Sequence, residues 1–565
     1  MADLPPPVQG PTAKEKKYDR QLRLWGATGQ AALENSHILL LNAGPGVVGL
    51  ETLKNLVLPG IGQFTIQDSA LVSEADLGVN FFLEEEHLGG FRAEHTCNLL
   101  KELNPDVQGG FITEPIETFL NTPESLKPYT LIIATAPIRP EHLAKLSAHA
   151  NTSLVPLFYT HSVGFYSHFS IHLPPKFPIV DTHPDVETTS DLRLVKPWPE
   201  LVQFAMEKTN GIDTMDHEDH GHIPYLCLIL YYLEEWKKEH DGQVPQNFQE
   251  KTAFRTLISK AARTDAPEGG EENFEEAVGA VLKSLNPPEA SSSVLSIFQT
   301  EECQNLSTDS PTFWVIANAI GRFYTKYGVL PLPGTVPDMK ARSGEYVQLQ
   351  NVYKNKARKD VAEVLDNVRS LESQLQRKKP VEEKDVEAFC KNAAHIKLVH
   401  GRPFHIVQQG NPIKWGNQAK TAVEALTSVY PESLIPLYFA FLAWDDFVAK
   451  HSKDSLAGAP KLPGETDPET DGYEVVGIAL KIMDDLIKEA GAVVEDTDYS
   501  DLKTKVRQYA EELVRAGGAE LHNISALAGG LVSQEVIKVI TEQYVPVDNT
   551  AVFDGVKSKS SIIRV

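Results

Sequence analysis

The chain has only four cysteines in 565 residues, Cys97, Cys227, Cys303 and Cys390, and none of them forms a CxxC pair. That scarcity excludes a cysteine-rich zinc ribbon and a disulfide framework, and it points to a reducing compartment. Apolar runs are short as well. The opening MADLPPPVQGPTAKEKK has no apolar core of signal-peptide length, and no stretch is read as approaching the roughly 18 apolar residues of a membrane span. The expectation is a soluble intracellular protein, cytoplasmic or nuclear, with no membrane partner. Positive charge is also deficient: 53 Lys and Arg stand against 77 Asp and Glu, a formal net charge of −24. An acidic surface of this kind argues against a nucleic-acid partner. No fixed-period repeat is visible. His217, His220 and His222 lie close together, but without further ligands at metal-site spacing they read as a solvated loop.

What is present is ordinary for a globular protein, with 42% hydrophobic and 23% charged residues. The length suffices for about two to four domains. Residues 1–16 are Pro-rich and charged and read as a mobile tail. Strand–turn–helix–strand alternation then begins at Ser36. Ile38–Leu41 is a buried strand, a glycine turn leads to a helix through Leu50, Leu53, Leu56 and Val57, and the next strand ends at Asp68. A helix at Arg92–Leu103 and strands at Thr130–Thr135 and Leu154–Thr160 continue the pattern. Such alternation predicts an α/β fold with a mostly parallel, doubly wound, Rossmann-like sheet.

Beyond about residue 175 helical periodicity takes over, with Val361, Val364, Leu365, Val368, Leu371 and Leu375 forming one core-facing stripe. The reading is a sheet domain split in sequence, its first part at 17–175 and its second at 516–565. A mainly helical insertion at 176–515 separates them, and the Gly-, Pro- and acid-rich stretch 455–474 is expected to be a disordered loop. Ser525–Ile540 is expected to be a helix and Ala551–Phe553 a final strand.

Gly44-Pro-Gly46-Val-Val-Gly49 follows a buried strand and opens a helix, the setting in which G-x-G-x-x-G holds a phosphate on backbone N–H groups. Asp68 ends the next strand, where an acid can bind a ribose hydroxyl. Taken alone these residues fit an NAD-dependent dehydrogenase, and glycines also serve simply to bring helix and strand close. Pro45 removes one N–H from the loop. The loop does not decide between these readings.

The flanking residues carry more. Tyr18-Asp-Arg20-Gln21-Leu-Arg-Leu-Trp25-Gly26 resembles the Tyr-x-Arg-Gln-x-x-x-Trp-Gly opening of the enzymes that activate ubiquitin and its relatives. The likeness continues through the glycine loop, Asn55-Leu-Val-Leu-Pro-Gly60 and Asp68, and resumes at Gly518-Ala-Glu-Leu-His522 and at Gly529-Gly530 to Gln534-Glu-Val-Ile-Lys538. Val336-Pro-Asp-Met-Lys-Ala, Tyr346 and Leu349-Gln350 resemble the regulatory subunits of that family that act in neddylation.

The resemblance implies an adenylation fold, and the positions that carry its chemistry differ here. The family's Asn-Arg-Gln-Phe clamp corresponds to Val79-Asn80-Phe81-Phe82, which has no guanidinium fork. A family lysine becomes Arg92. The metal-binding aspartate just past the strand Leu131–Thr135 is replaced by Ala136-Pro137, and no carboxylate follows until Glu141. None of the four cysteines is followed by the Thr of the family's thioester motif.

The resemblance therefore implies the regulatory subunit of a heterodimeric activating enzyme, not catalytic alone. No metal ligand and no cofactor are expected on this chain, and Gly44, Gly46, Gly49 and Asp68 would be a vestigial nucleotide loop. Mg-ATP would be bound by a catalytic partner subunit that also forms the thioester. The further partner implied is the ubiquitin-like modifier attached to cullins. Arg20, supported by Gln21, would reach the partner-bound ATP in trans. Two other assignments are the non-catalytic subunit of the SUMO-activating enzyme and a pure interaction scaffold. A free-standing adenylyltransferase of the sulfur-carrier type would need the arginine and aspartate that are missing.

Overall fold

The computed structural model describes residues 10–185, 191–264, 270–408, 411–428, 432–451 and 460–565. Ten strands are present among them: β1 (His37–Leu41), β2 (Gln63–Gln67), β3 (Gln108–Ile112), β4 (Leu131–Thr135), β5 (Leu157–Val163), β6 (Tyr166–His172), β7 (Phe177–Val180), β8 (Ile396–Val399), β9 (Thr550–Asp554) and β10 (Lys559–Ile563). Eight of them form one sheet in the order β10-β9-β6-β5-β4-β1-β2-β3, and β7 and β8 form a sheet of their own. The run from β3 to β5 is parallel, with β1 in register against both β2 and β4, while β6, β9 and β10 are antiparallel. This is the mostly parallel α/β sheet expected from the strand–helix alternation.

β1 reads His-Ile-Leu-Leu-Leu because both sheet faces are covered. Ile38 and Leu40 enter one core with Leu50, Leu53, Val532 and Val536. Leu39 and Leu41 enter another with Leu437, Phe441, Val475 and Leu513. The chain divides into two compact units, Met1–Ile179 with Leu398–Val565, and Val180–Lys397. The second boundary thus falls at 397/398 and not near 515. The helices Ile435–Lys450, Pro468–Ala490 and Asp496–Ala516 bury their apolar faces in the core that contains Leu39 and Leu41. They belong to the sheet unit although their sequence pattern is purely helical.

The loop expected at 455–474 is also different. Residues 455–459 lie outside the described ones, and the remainder is a built helix start. Asp467 caps Pro468–Ala490 by accepting from the Thr470 N–H at 3.2 Å, with Pro468 in the first turn. Buried Asp471 accepts from Lys461 at 2.8 Å and from the Gly464 N–H at 3.0 Å. The composition of a loop was that of a cap. Of the expected tail, residues 1–9 lie outside the described ones, and Ala13–Lys17 is a short helix with a capping box at Thr12 and Glu15.

The second unit is helical, with Tyr225–Glu239, Glu272–Ser284 and the 33-residue Ser343–Leu375 around Phe254, Phe274 and Tyr353. Val364, Val368 and Leu371 are buried, as their spacing predicts. His220 departs from the solvated-loop reading. It is buried, pairs with Glu271 at 2.6 Å and stacks on Phe274.

His522–Thr541 also corrects the reading of apolar runs, since by length and composition it is apolar enough to cross a membrane. In the fold it packs against Val47–Val57. A Cβ on Gly529 would lie 2.8 Å from Glu51 Cβ and from the Thr52 nitrogen, whereas Gly530 faces open space. Gly529→Ala is therefore expected to lose about 1–3 kcal/mol to overpacking. Gly530→Ala should be neutral or gain up to ~1 kcal/mol from helix propensity. Urea denaturation of the two variants checks this contrast.

Candidate functional site

The site lies where Rossmann-like sheets bind ligands, beyond the carboxyl ends of the parallel strands. A cavity of about 570 Å³ opens there, lined by residues of the β1, β2 and β4 ends together with Arg92, Ile116, Arg139, His142 and Leu462. It reaches the glycine loop at Ala43 and Gly44 and stops short of Val47 and Val48.

Gly44 and Gly46 both have positive φ, 59° and 66°, which is what lets the chain turn from β1 into the Val47–Val57 helix. Gly49 has a different job. A Cβ there would lie 2.8 Å from Asn42 Oδ1 and from Thr135 Cγ2, so its bareness allows the helix to approach the sheet. The glycines thus serve the turn at Gly44 and Gly46 and the close helix–strand approach at Gly49.

Several polar groups in and around this loop are engaged within the chain. Arg92 is buried at the start of Arg92–Leu103, and its Nε donates to Asp68 Oδ2 at 2.7 Å while Nη1 meets Asp76 Oδ1 at 2.8 Å. Two further N–H groups, one on Nη2 and one on Nη1, donate to the carbonyls of Gly44 at 2.7 Å and Pro45 at 3.3 Å. Asp68 also accepts from Asn42 Nδ2 at 3.1 Å and from the Ala70 N–H at 2.9 Å. The predicted ribose acid is thus 3% exposed and committed on both oxygens. On Asp76, burial alone would push the carboxyl up. The Ser73 hydroxyl, the Arg92 charge and the Ser73 N–H outweigh burial and hold it below the usual carboxylate range.

The first N–H groups of the Val47–Val57 helix are taken as well. Val47 N–H donates to Glu520 Oε1 at 3.2 Å and Val48 N–H to Oε2 at 2.8 Å. In the sequence Glu520 stands only within the motif Gly518-Ala-Glu-Leu-His522, with no role of its own. No local pattern marks it, because the N–H groups it receives lie at the other end of the chain.

Where the family places a metal-binding aspartate, Ala136-Pro137 packs onto the loop. A Cβ on Gly44 would meet Pro137 Cδ at 2.6 Å and the Ala136 carbonyl at 3.2 Å. In the stretch matching the family's arginine clamp, Asn80 is buried and accepts from the Phe82 N–H at 3.0 Å, Phe82 is buried, and Phe81 is 79% exposed. All four cysteines are buried, and burial pushes the thiols up, Cys97 to about 11 and Cys303 to about 12. None is poised as a thiolate.

Arg20 and Gln21 are not brought to this cavity. They lie on Asp19–Glu34, a helix interrupted at Gly26, and among the described residues neither side chain makes a hydrogen bond or ion pair. Arg20 is exposed and Gln21 half-buried. The neighbouring motif residues hold the helix in place. Tyr18 is buried and its hydroxyl accepts from Asn104 Nδ2 at 2.9 Å, and Trp25 Nε1 donates to Gln30 Oε1 at 3.1 Å.

Comparison with known proteins agrees with this architecture. The ThiF family model matches residues 18–565. Similar curated proteins include the NEDD8-activating enzyme E1 regulatory subunit of Gallus gallus, 35% identical over 98% of both chains. That of Xenopus laevis is 35% identical over 98% of this chain and 99% of its own, and that of Drosophila melanogaster 33% over 98% of both.

Arg92→Ala would leave two buried carboxylates without their cation and is expected to cost about 3–5 kcal/mol. Because the Asp76 pKa is lowered by folding, its contribution is present above the usual carboxylate range and lost as pH falls through the lowered value. Acid titration of stability should therefore show a shallower acid-side loss in Arg92→Ala than in the parent.

Proposed function

The chain belongs to the ThiF family, in the branch of the NEDD8-activating enzyme E1 regulatory subunits, and from that premise we propose a division of labour. This chain completes a heterodimeric activating enzyme. A catalytic partner subunit binds Mg-ATP, adenylates the modifier and carries the thioester cysteine. The observation that carries the proposal is the state of the glycine-loop site. Arg92, Asp68 and the Val47 and Val48 N–H groups already bond within the chain, and Ala136 stands at the family's metal-ligand position.

Activation of a modifier carboxylate needs a metal and cations on the triphosphate, then a thiolate to receive the acyl group. Ala136 offers no ligand, Phe81 offers no charge, and the four thiols are buried. What this chain has to offer is geometry. Arg20 stands exposed on a helix anchored by Tyr18 and Trp25, available to phosphate charge that builds up on a neighbouring subunit. Gln21, half-buried beside it, supports that placement. The surface of the chain takes part in selecting the modifier, which by the names of the relatives is NEDD8.

In the reconstituted heterodimer, Arg20→Ala is expected to slow formation of the modifier adenylate by roughly a hundredfold or more, with assembly intact. Single-turnover adenylate formation and gel filtration read the two properties separately. An unchanged rate in an intact heterodimer would reduce this chain to a scaffold.

A further inference from the structure

The glycine loop creates a place for an anion, and the structure fills that place from within. Val47–Val57 begins after a left-handed Gly46, and its first two N–H groups point at a single carboxylate, that of Glu520. Unpaired N–H groups at a helix start, with the positive end of the helix dipole behind them, favour negative charge. Glu520 is 3% exposed, and Ser525 donates its hydroxyl to Oε2 at 2.6 Å. Burial raises the Glu520 carboxyl, opposed by the Ser525 hydroxyl, the two N–H groups and the Arg92 charge.

The backbone around the carboxylate is fixed too. Glu520 bridges to Gly164, whose N–H donates to the Ala519 carbonyl at 2.8 Å. Beneath the loop, Asn42 is 5% exposed and its Oδ1 has no partner among the described residues, while its amide fills the space a side chain at Gly46 would need. The groups present therefore do not fit a nucleotide phosphate at this loop.

We infer that Glu520 is a built-in occupant of the oxyanion position of the glycine loop, so that a phosphate could enter only by displacing a carboxylate of the same chain. The remnant of a nucleotide site has become a structural joint between residues 47–48 and 520, with an oxyanion as its chemical requirement. The inference stands on these contacts alone and does not depend on what the partner subunit does. Its consequence is chemical rescue. Removing the carboxylate should leave a position that a free oxyanion can refill.

The test uses the full chain as the parent, Glu520→Ala and Glu520→Gln, with thermal melting in sodium chloride, sodium phosphate and sodium acetate at one ionic strength. Glu520→Ala is expected to melt several degrees lower in chloride and to recover more than half of that loss in phosphate or acetate. The parent should gain from either anion no more than the general salting-out increment, and nothing from ATP. Recovery in both salts assigns a general oxyanion position, and recovery in phosphate alone assigns a phosphate-shaped one. Glu520→Gln keeps the shape and one acceptor but not the charge, and should melt below the parent at neutral pH with no need for the chain to tolerate a cavity. The inference is overturned if Glu520→Ala melts like the parent, or if oxyanions move parent and variant equally. It is overturned as well if Glu520→Gln is as stable as the parent, or if ATP stabilises the parent.

Discussion

The contact between Glu520 and the first turn of the Val47–Val57 helix joins parts of the chain 472 and 473 residues apart. Much of the sheet unit follows from that joint. It holds the segment leading into His522–Thr541 against the helix that follows β1, and Gly529 lets those two helices meet at backbone distance. From there the chain runs on to β9, which pairs with β6, and to β10, which forms the sheet edge. A fold divided in sequence needs a strong reason for its halves to find one another, because closing so long a loop is entropically costly. A buried carboxylate seated on a helix start provides one, since leaving either partner unmet inside the protein is expensive.

The same physics governs the glycine loop and its surroundings. A nucleotide site is a set of donors and charges held apart from one another so that a ligand can satisfy them. Here they satisfy each other. Arg92 bridges Asp68, Asp76 and two loop carbonyls, and Glu520 covers the helix start. Each internal bond adds to stability and removes a group from ligand binding. The helices of 435–516 thicken the opposite face of the sheet, and Leu462 reaches the rim of the remaining cavity.

The strand and helix pattern was legible where both faces or one stripe are apolar. Arg92–Leu103 appears with the predicted ends, and β1, β2 and β4 within a residue. β3 was missed because Gln-Gly-Gly-Phe-Ile has poor strand propensity; Gly109 is there to pass Phe64 and Lys101, which a Cβ would strike at 2.7–2.8 Å. The boundary of the helical unit was misplaced because helical periodicity does not say which surface a helix covers. In the site, the glycines and Asp68 were visible as a motif, and the losses at Asn80, Phe81 and Ala136 as departures from one. The engagement of Asp68 by Arg92 and the role of Glu520 were not, since both are long-range pairings and no local pattern encodes them.

Whether the glycine-loop site of this chain performs adenylation is read by ATP–pyrophosphate exchange in the presence of the modifier. The assay is run on this chain alone and on the chain mixed with its catalytic subunit. Exchange is expected from the mixture, and none above background from the isolated chain. Modifier-dependent exchange by the isolated chain would contradict the proposed division of labour.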